Sequence, residues 1–252
     1  MIKEEAVVRP PATVVAGSVG ILGGTFDPIH HGHLAIAEEA REALGLERVL
    51  LVPAASPPHK PDRPVTSPGH RLAMAQLAIA GNPAFSVCVI EVERGGTSYT
   101  VDTLEALAAE GIIEPWFILS AEALAGFPSW HRPDRILELC RLAVVPRSGH
   151  ETLDAAWARE HVPGREARLR FLPGPLLPIS GSVVRRRAAA GRSVRVSGGS
   201  KWRRGVVVHA ALEPCPDGAW LPHVHRQRGG HHDGNRAAQG DLPESEPAAV
   251  GR

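Results

Sequence analysis

Three histidines lie within four positions near the start of the chain, in the stretch GGTFDPIHHGHL. This stretch spans Gly23 to Leu34 and directly follows Val19–Leu22, an apolar run typical of a buried strand. The segment that follows this strand is unusual, because it contains two adjacent glycines, an Asp-Pro pair and the three histidines. Imidazole groups in such a place can donate hydrogen bonds to an anion or ligate a metal ion.

The stretch has the properties of a phosphate-binding site. Gly23 and Gly24 let another group approach the backbone closely, because neither carries a Cβ. Gly32 opens a helix, and the free N–H groups and the dipole of a helix start favour an anion. His30 and His33 flank that point and can donate hydrogen bonds to phosphate oxygens. We therefore predict that this loop and helix start bind phosphate groups.

Two other interpretations of the histidines are open at this point. The first is a solvated loop in which the histidines are incidental. The second is a zinc site, because the spacing of His30 and His33 is common among zinc ligands. No cysteine lies close by in sequence to complete a coordination shell, so we predict no bound metal. A P-loop is excluded because no lysine directly follows the glycines.

A second helix start with anion-binding chemistry is predicted far downstream, in PISGSVVRRR. Ser180 is a favourable N-cap residue, and Ser182 supplies a hydroxyl in the first turn. Arg185 lies one turn further and presents a fork of donors that suits phosphate. The alternative interpretation is an ordinary capped surface helix that is rich in arginine.

Apolar runs and helical periodicity alternate along the chain, and glycines stand where the predicted helices should end. This alternation predicts an α/β fold, a doubly wound parallel sheet with helices on both faces. Ligands of such sheets bind beyond the carboxyl ends of the strands, where the histidine stretch begins. The predicted strands are Val19–Leu22, Val49–Pro53, Phe85–Val92, Trp116–Leu119 and Leu142–Val145, and the predicted helices are Leu34–Leu44, Arg71–Ala80, Val101–Ala109 and Ile136–Leu139.

The composition excludes several classes of protein. A chain of 252 residues that is 43% hydrophobic can bury a large core. Its formal net charge of +1 argues against a partner recognised by overall charge, such as a nucleic acid. No apolar run is long enough to cross a membrane, and the N-terminus has no signal-peptide core. Cys88, Cys140 and Cys215 are odd in number and far apart, which favours a reducing cytoplasmic location.

Three regions of the chain differ in composition. Residues 1–17 form an N-terminal extension, and residues 18–195 form the predicted domain. Residues 196–252 are rich in Gly, Pro, Arg and His, and only Val206–Leu212 is clearly apolar. Such a segment buries too little surface to offset the entropy of ordering it, so we predict a disordered C-terminal tail.

Both anion-binding stretches resemble motifs of the nucleotidylyltransferase superfamily. GGTFDPIHHGHL is similar to its G-G-x-F-D-P-x-H-x-G-H-L signature, in which His31 fills a variable position, and PISGSVVRRR resembles its I-S-x-[ST]-x-[IV]-R motif. The resemblance implies a Rossmann-like domain that transfers a nucleotidyl group, with catalytic roles for His30, His33 and Arg185. The ATP-binding residues that it implies are Gly23, Gly24, Thr25, Phe26, Ser180 and Ser182.

Three further stretches are similar to the bacterial nicotinate-nucleotide adenylyltransferase family. They are VPAASPPHK at 52–60, SYTVDTL at 98–104 and WFILSAEALAGFPSWHRP at 116–133. With the two motifs they extend the resemblance from Val19 to Arg195. The resemblance implies transfer of the adenylyl group of ATP to nicotinate mononucleotide, giving deamido-NAD and pyrophosphate, with Mg²⁺ accompanying ATP.

The same resemblance assigns residues to the nucleotide that accepts the adenylyl group. The backbone of Tyr99 and Thr100 would receive the nicotinate carboxylate, and Trp130 would stack on the pyridine ring. From the residues alone, Thr100 could equally cap a helix and Trp130 could be a packing residue. The remaining acceptor-binding residues that the resemblance implies are Lys60, Glu122 and Arg132.

The chain departs from the family pattern in two places. Ser120-Ala121-Glu122 replaces the usual Gly-x-Asp, and Val-Ser-Gly follows Arg195 where the family has Tyr-Leu-Val. We hypothesise that a one-base insertion shifted the reading frame at this second point. Two other functions are open: another adenylyl- or cytidylyltransferase of the superfamily, for example one acting on pantetheine phosphate, and a non-catalytic protein that binds nucleotide or metal. A homo-oligomer is compatible with all of these functions.

Overall fold

Six parallel strands form one sheet in the part of the chain that the structure describes. The structure is a computed structural model and describes residues 17–58, 65–149, 153–174, 176–194, 212–214 and 220–222. The strand order is β3-β2-β1-β4-β5-β6, and every neighbouring pair is parallel. The strands are β1 (Val19–Gly24), β2 (Arg48–Pro53), β3 (Phe85–Val87), β4 (Trp116–Ser120), β5 (Arg141–Val145) and β6 (Leu169–Phe171).

The α-helices lie between these strands and after the last one. Their bounds are α1 (His31–Leu44), α2 (Pro68–Ile79), α3 (Ile90–Arg94), α4 (Thr100–Ala109), α5 (Ala121–Ala125), α6 (Pro133–Leu139), α7 (Ala155–His161) and α8 (Gly181–Ala189). The predicted α/β fold with a doubly wound parallel sheet is confirmed. Helices α1 and α2 begin earlier than predicted, directly after the N-cap residues His30 and Ser67.

One predicted strand is wrong over its second half. The apolar run Phe85–Val92 predicts a single strand, but only its beginning pairs with β2 and its end starts α3. The ladder stops where the N–H of Cys88 bonds to the carbonyl of Leu51. Beyond that point Glu91 turns into the protein, and an apolar pattern cannot distinguish this short buried turn of helix from more strand.

Alternate residues of the central strands face two different helical layers. On β1, Ile21 packs in a core cluster with residues of α4 and α6, whereas Leu22 packs in a second cluster with residues of α1 and α2. Leu50 and Leu51 of β2 divide in the same way. Because both faces of these strands are buried, their sequences are continuous apolar runs instead of alternating ones.

The direction in which strands are added to the sheet reverses beside β1. From β1 the chain builds β2 and β3 on one side, then returns to place β4 on the other side of β1. The loops that follow β1 and β4 therefore leave in opposite directions and open a crevice at the carboxyl ends of the strands. Ligands of doubly wound sheets bind at such a point.

A buried arginine ties together three loops at this end of the sheet. Arg71 of α2 is 1% exposed. Its guanidinium donates to the carbonyl oxygens of Thr66 at 2.7 Å, Thr25 at 2.7 Å and Ala55 at 2.9 Å. Burial lowers the pKa of Arg71, and the nearby negative charges of Asp27 and Glu91 act in the opposite direction. The loops after β1 and β2 are thereby fixed to the start of α2.

Most of the two terminal regions lies outside the described residues. This applies to residues 1–16, to the proposed frameshift point at 195–197 and to most of the predicted disordered tail. Within the tail the structure describes only two short strands, β7 (Leu212–Pro214) and β8 (Trp220–Pro222), which pair antiparallel. Among the described residues, no helix has both the length and the apolar character needed to cross a membrane.

The hydrogen bonds of the buried Arg71 generate a stability prediction. Replacing Arg71 with Met keeps much of the side-chain volume but removes the donors of three carbonyl groups, and a buried polar group without a partner costs about 1–3 kcal/mol. We expect Arg71→Met to lower the free energy of unfolding by about 3 kcal/mol, measured by urea denaturation. The control is Arg170→Met, on an exposed position of β6. Equal stability of the two variants would contradict a role for Arg71 in holding the loops.

Candidate functional site

A cleft of about 650 Å³ opens at the carboxyl ends of the central strands. The end of β1, the end of β4, the start of α1 and the start of α4 all contribute to its lining. The structure therefore brings both predicted halves of the site, the phosphate half and the acceptor half, into one cavity. The predicted site residues that line it are Gly23, Gly24, Thr25, His30, His33, Tyr99, Thr100, Trp130 and Arg132.

His30 and His33 form one stacked unit at the start of α1. Their ring centroids lie 3.8 Å apart, and the ring planes are inclined by 20°. The backbone N–H of His30 donates to Nδ1 of His33 at 3.2 Å. The Phe26 ring lies perpendicular to the His33 ring, with 5.1 Å between the centroids. Because Nδ1 of His33 accepts a hydrogen bond, the neutral ring carries its proton on Nε2.

His30 is uncharged at neutral pH. Burial lowers its pKa to about 4, and the positive charges of Arg147 and His31 act in the same direction. Its Nδ1 is buried and has no hydrogen-bond partner among the described residues. Such an atom costs free energy that a bound ligand can recover, which is typical of a binding site. Gly32 leaves room for this ring, since a Cβ there would lie only 3.0 Å from Nδ1 and the ring would have to shift.

The second predicted motif packs directly against the first. The Arg185 guanidinium donates to the carbonyl oxygen of Asp27 and, at 3.1 Å, to the hydroxyl of Ser182. The Asp27 carboxylate lies 3.7 Å from the same guanidinium. A Cβ at Gly181 would lie 3.0 Å from the Asp27 carbonyl oxygen, so a larger residue would separate the two motifs. The start of α8 is thus held beside the loop that follows β1.

Four residues that were predicted to be catalytic or ATP-binding lie outside the lining of the cleft. Phe26, Ser180, Ser182 and Arg185 do not line the cavity formed by the described residues. Phe26 is 1% exposed and supports His33 from the core. The Ser180 hydroxyl accepts the backbone N–H of Val183 at 3.3 Å, as the predicted N-cap of α8. Phe26 and Ser180 therefore shape the elements of the site.

The acceptor half is built around the start of α4. Tyr99 is the N-cap residue of α4 and Thr100 is its first residue, so Thr100 is not the helix cap that the alternative interpretation required. The Tyr99 ring contacts the His131 ring, with 4.5 Å between centroids. The Trp130 ring packs edge-on against Phe117, 6.1 Å away, and also lines the cleft. Trp130 is therefore both a packing residue and a cleft residue.

The other predicted acceptor residues occupy different places. Glu122 does not line the cavity of the described residues, and its carboxylate pairs with the guanidinium of Arg147. Arg132 lines the cleft, but its guanidinium contacts the Glu105 carboxylate at 3.3 Å. Lys60 lies outside the described residues. Glu122 therefore contacts a residue of the cleft lining, Arg147, and its role in acceptor binding stays a prediction.

Among the residues that line the cleft, sequence reasoning missed three with titratable side chains: Glu91, His131 and Arg147. Arg147 was the easiest of the three to predict, because it follows β5 and the carboxyl ends of parallel strands meet at one edge of a sheet. His131 directly follows Trp130 and could have been included with it. Glu91 had no such signal, since it lies in an apolar run that predicts a strand.

Comparison with known proteins places this cleft in a family. The chain matches the model of cytidylyltransferase-like proteins over residues 21–187. It is 49% identical over 179 residues to a protein of Thermomicrobium roseum named as a probable nicotinate-nucleotide adenylyltransferase, which covers 70% of this chain and 83% of that protein. The chain belongs to the nicotinate-nucleotide adenylyltransferase family. A second member, from a Roseiflexus species and of the same name, is 50% identical over 177 residues, covering 70% of this chain and 88% of its own.

Solved structures share the fold of this adenylyltransferase family member. A Plasmodium falciparum nicotinic acid mononucleotide adenylyltransferase complexed with NaAD has a TM-score of 0.57 and 18% identity, covering 71% of this chain and 87% of that one. The same protein complexed with APC has a TM-score of 0.53 and 17% identity, covering 70% and 86% of the two chains. At these identities the likeness shows a shared fold.

The environment of His30 generates a prediction about its titration. Arg147 is the second cause of the low pKa, after burial, so Arg147→Met should raise the pKa of His30. The pKa should stay below the ordinary value of 6.5, because burial, the largest cause, remains. Titration of the imidazole signals by NMR measures both changes. The control is Arg159→Met on the exposed face of α7; the same shift in both variants would show that the effect is not local.

Proposed function

We propose that this protein transfers the adenylyl group of ATP to nicotinate mononucleotide, releasing pyrophosphate and forming deamido-NAD. The observation that carries the proposal is the meeting of two different helix starts in one cleft, each of them suited to binding an anion. One is the start of α1 with His30 and His33, and the other is the start of α4 at Tyr99 and Thr100. Relatives that are 49% and 50% identical bear the name of this activity.

In this reaction the main contribution of the protein is to position the two substrates. The 5′-phosphate of nicotinate mononucleotide would attack the α-phosphorus of ATP in line, and pyrophosphate would leave. A phosphate monoester is already ionised near pH 7, so the attack needs no strong base. The neutral His30 ring and the His33 ring are suited to hydrogen bonds that stabilise charge on the phosphates, with Arg185 holding the neighbouring helix start in place.

Mg²⁺ would enter the cleft with ATP. Among the described residues, no group of three or more His, Cys, Asp or Glu side chains is arranged to hold a metal ion. The oxygens of a triphosphate are hard ligands that Mg²⁺ prefers. The cleft therefore fits an ion carried by the nucleotide, where it would neutralise charge on the departing pyrophosphate. The protein's own contribution is its helix starts and side-chain donors.

The acceptor half of the cleft favours an acidic pyridine nucleotide. Backbone N–H groups at the start of α4 can bind a carboxylate without a full counter-charge. The Trp130 indole lines the same cavity and offers a face for an electron-poor ring. These two features argue for nicotinate mononucleotide over the pantetheine phosphate of related transferases. We also propose a cytoplasmic location, supported by the buried free thiols Cys88 and Cys140.

The histidine pair generates the first functional prediction. His33→Ala should lower kcat by about two to three orders of magnitude, because it removes one donor to the reacting phosphates. Steady-state release of pyrophosphate measures the rate, and circular dichroism should remain native. His161→Ala, on exposed α7, is the control and should retain full activity. Full activity of a folded His33→Ala variant would remove the histidine from the mechanism.

The choice of acceptor generates a second functional prediction. An amide would leave a carboxylate-binding donor unpaired, which costs about 1–3 kcal/mol, so nicotinate mononucleotide should exceed nicotinamide mononucleotide at least about tenfold in kcat/KM. Trp130→Ala should raise KM for the acceptor far more than KM for ATP. Trp157→Ala, on α7 and outside the cleft lining, should raise neither. Equal use of both acceptors, or preferred use of pantetheine phosphate, would replace the proposal with another transferase of the superfamily.

A further inference from the structure

A connected set of buried polar groups lies beside the acceptor half of the cleft. Five polar or charged side chains are buried among the described residues, and they are Thr66, Arg71, Glu91, Ser98 and Thr103. All belong to one region: Arg71 donates to the carbonyls of Thr66 and Ala55, and the N–H of Ala55 donates to the Ser98 hydroxyl at 2.8 Å. The reaction described above uses none of these side chains.

Glu91 is the acidic member of this set and also lines the cleft. It is 7% exposed and accepts a hydrogen bond from the Thr103 hydroxyl at 2.6 Å, and the Ser98 side chain also favours its ionised form. Ser98 and Thr103 stand on either side of Tyr99 and Thr100 in the chain. One carboxylate therefore holds both flanks of the backbone segment to which the acceptor's carboxylate is assigned.

The direction of the Thr103 hydroxyl proton decides the geometry of that segment. A hydroxyl has one proton to donate, and Thr103 lies 2.6 Å from Glu91 but 3.3 Å from the carbonyl oxygen of Tyr99. The shorter bond takes the proton. Without Glu91 the proton would turn to the Tyr99 carbonyl, four residues back, an interaction that bends helices. Because the peptide is planar, any rotation of this carbonyl also rotates the N–H of Thr100.

Two arginines allow a carboxylate to remain buried at this place. Arg94 donates to the Thr103 hydroxyl at 3.3 Å, and the charges of Arg94 and Arg71 both favour the ionised form of Glu91. Burial acts in the opposite direction and raises the pKa of Glu91 overall. Burying an acid costs free energy unless polar groups stabilise it, and here the two side chains that do so, Ser98 and Thr103, flank one short segment.

We propose that Glu91 is a positioning residue that orients the Thr100 N–H toward the acid group of the acceptor nucleotide and so sets the preference for an acidic over a neutral pyridine ring. The inference rests on the proposed function, because it concerns the acceptor of that reaction. Glu91 acts through Ser98 and Thr103, so its removal should weaken acceptor binding and leave ATP binding intact.

The test compares variants that differ in whether the side chain at position 91 can accept a hydrogen bond. Glu91→Met has a similar size but no acceptor, and it should raise KM for nicotinate mononucleotide about tenfold while KM for ATP changes less than about twofold. Its preference for the acidic acceptor over the amide should fall by a similar factor. Glu91→Gln keeps one oxygen for the Thr103 proton and should restore most of the acceptor affinity. Glu93→Met, on the same helix but exposed, is the matched control.

A second pair of variants tests the route through Thr103. Thr103→Ser retains the hydroxyl and should match the wild type, whereas Thr103→Val should raise KM for the acceptor. The Glu91→Met, Thr103→Val double variant should be no worse than Glu91→Met alone, because both changes break one pathway. Thr103→Val leaves the carboxylate in place and carries the test if Glu91→Met does not fold. The amide signal of Thr100 in NMR spectra should shift in Thr103→Val and return in Thr103→Ser.

The outcomes separate this inference from the proposed function. A wild-type protein that does not adenylylate nicotinate mononucleotide overturns both. A wild-type protein that does so, together with folded Glu91→Met and Thr103→Val variants whose KM and acceptor preference are unchanged, overturns the inference alone. An equal rise in KM for ATP and for the acceptor also overturns it, because that result indicates general damage to the cleft.

Discussion

Burial of the Arg71 guanidinium is the constraint on which the arrangement of the site depends. A charged group with five donors is tolerated inside a protein only where those donors find acceptors. Here the acceptors are the carbonyls of Thr25, Ala55 and Thr66, which follow β1, follow β2 and precede α2. The loop that carries the histidines is therefore held relative to the loop opposite it before any ligand arrives.

The elements of the fold that could be predicted most clearly from the sequence are those that are buried on both faces. The central strands β1, β2, β4 and β5 are covered on both faces, so each is an apolar run that the sequence displays plainly. The edge strand β6 has three residues and includes the exposed Arg170, and the short helices α3, α5 and α7 contain few turns of periodicity. Such elements exist because of their tertiary neighbours, and no local pattern predicts them.

The features of the site also divide into those that the sequence predicts and those that it does not. Motif spacing predicted which residues meet at the strand ends, since parallel strands deliver their carboxyl ends to one edge. It could not predict which partners the side chains choose. Arg185 bonds to the carbonyl of Asp27, 158 positions away, and Glu122 pairs with Arg147 instead of facing the cleft. Both contacts depend on the packing of distant segments, which sequence spacing does not contain.

Two arginines at and beside the cleft are paired with carboxylates. Arg147 has the Glu122 carboxylate as its partner, and Arg185 has Asp27 within 3.7 Å, so neither cation stands alone. His30 is kept uncharged by burial first and by Arg147 second. The phosphates of a nucleotide would thus meet oriented N–H groups and helix starts more than bare positive charge. Groups of this kind can stabilise charge as it develops without binding a released polyanion too tightly, which suits a reaction whose leaving group is pyrophosphate.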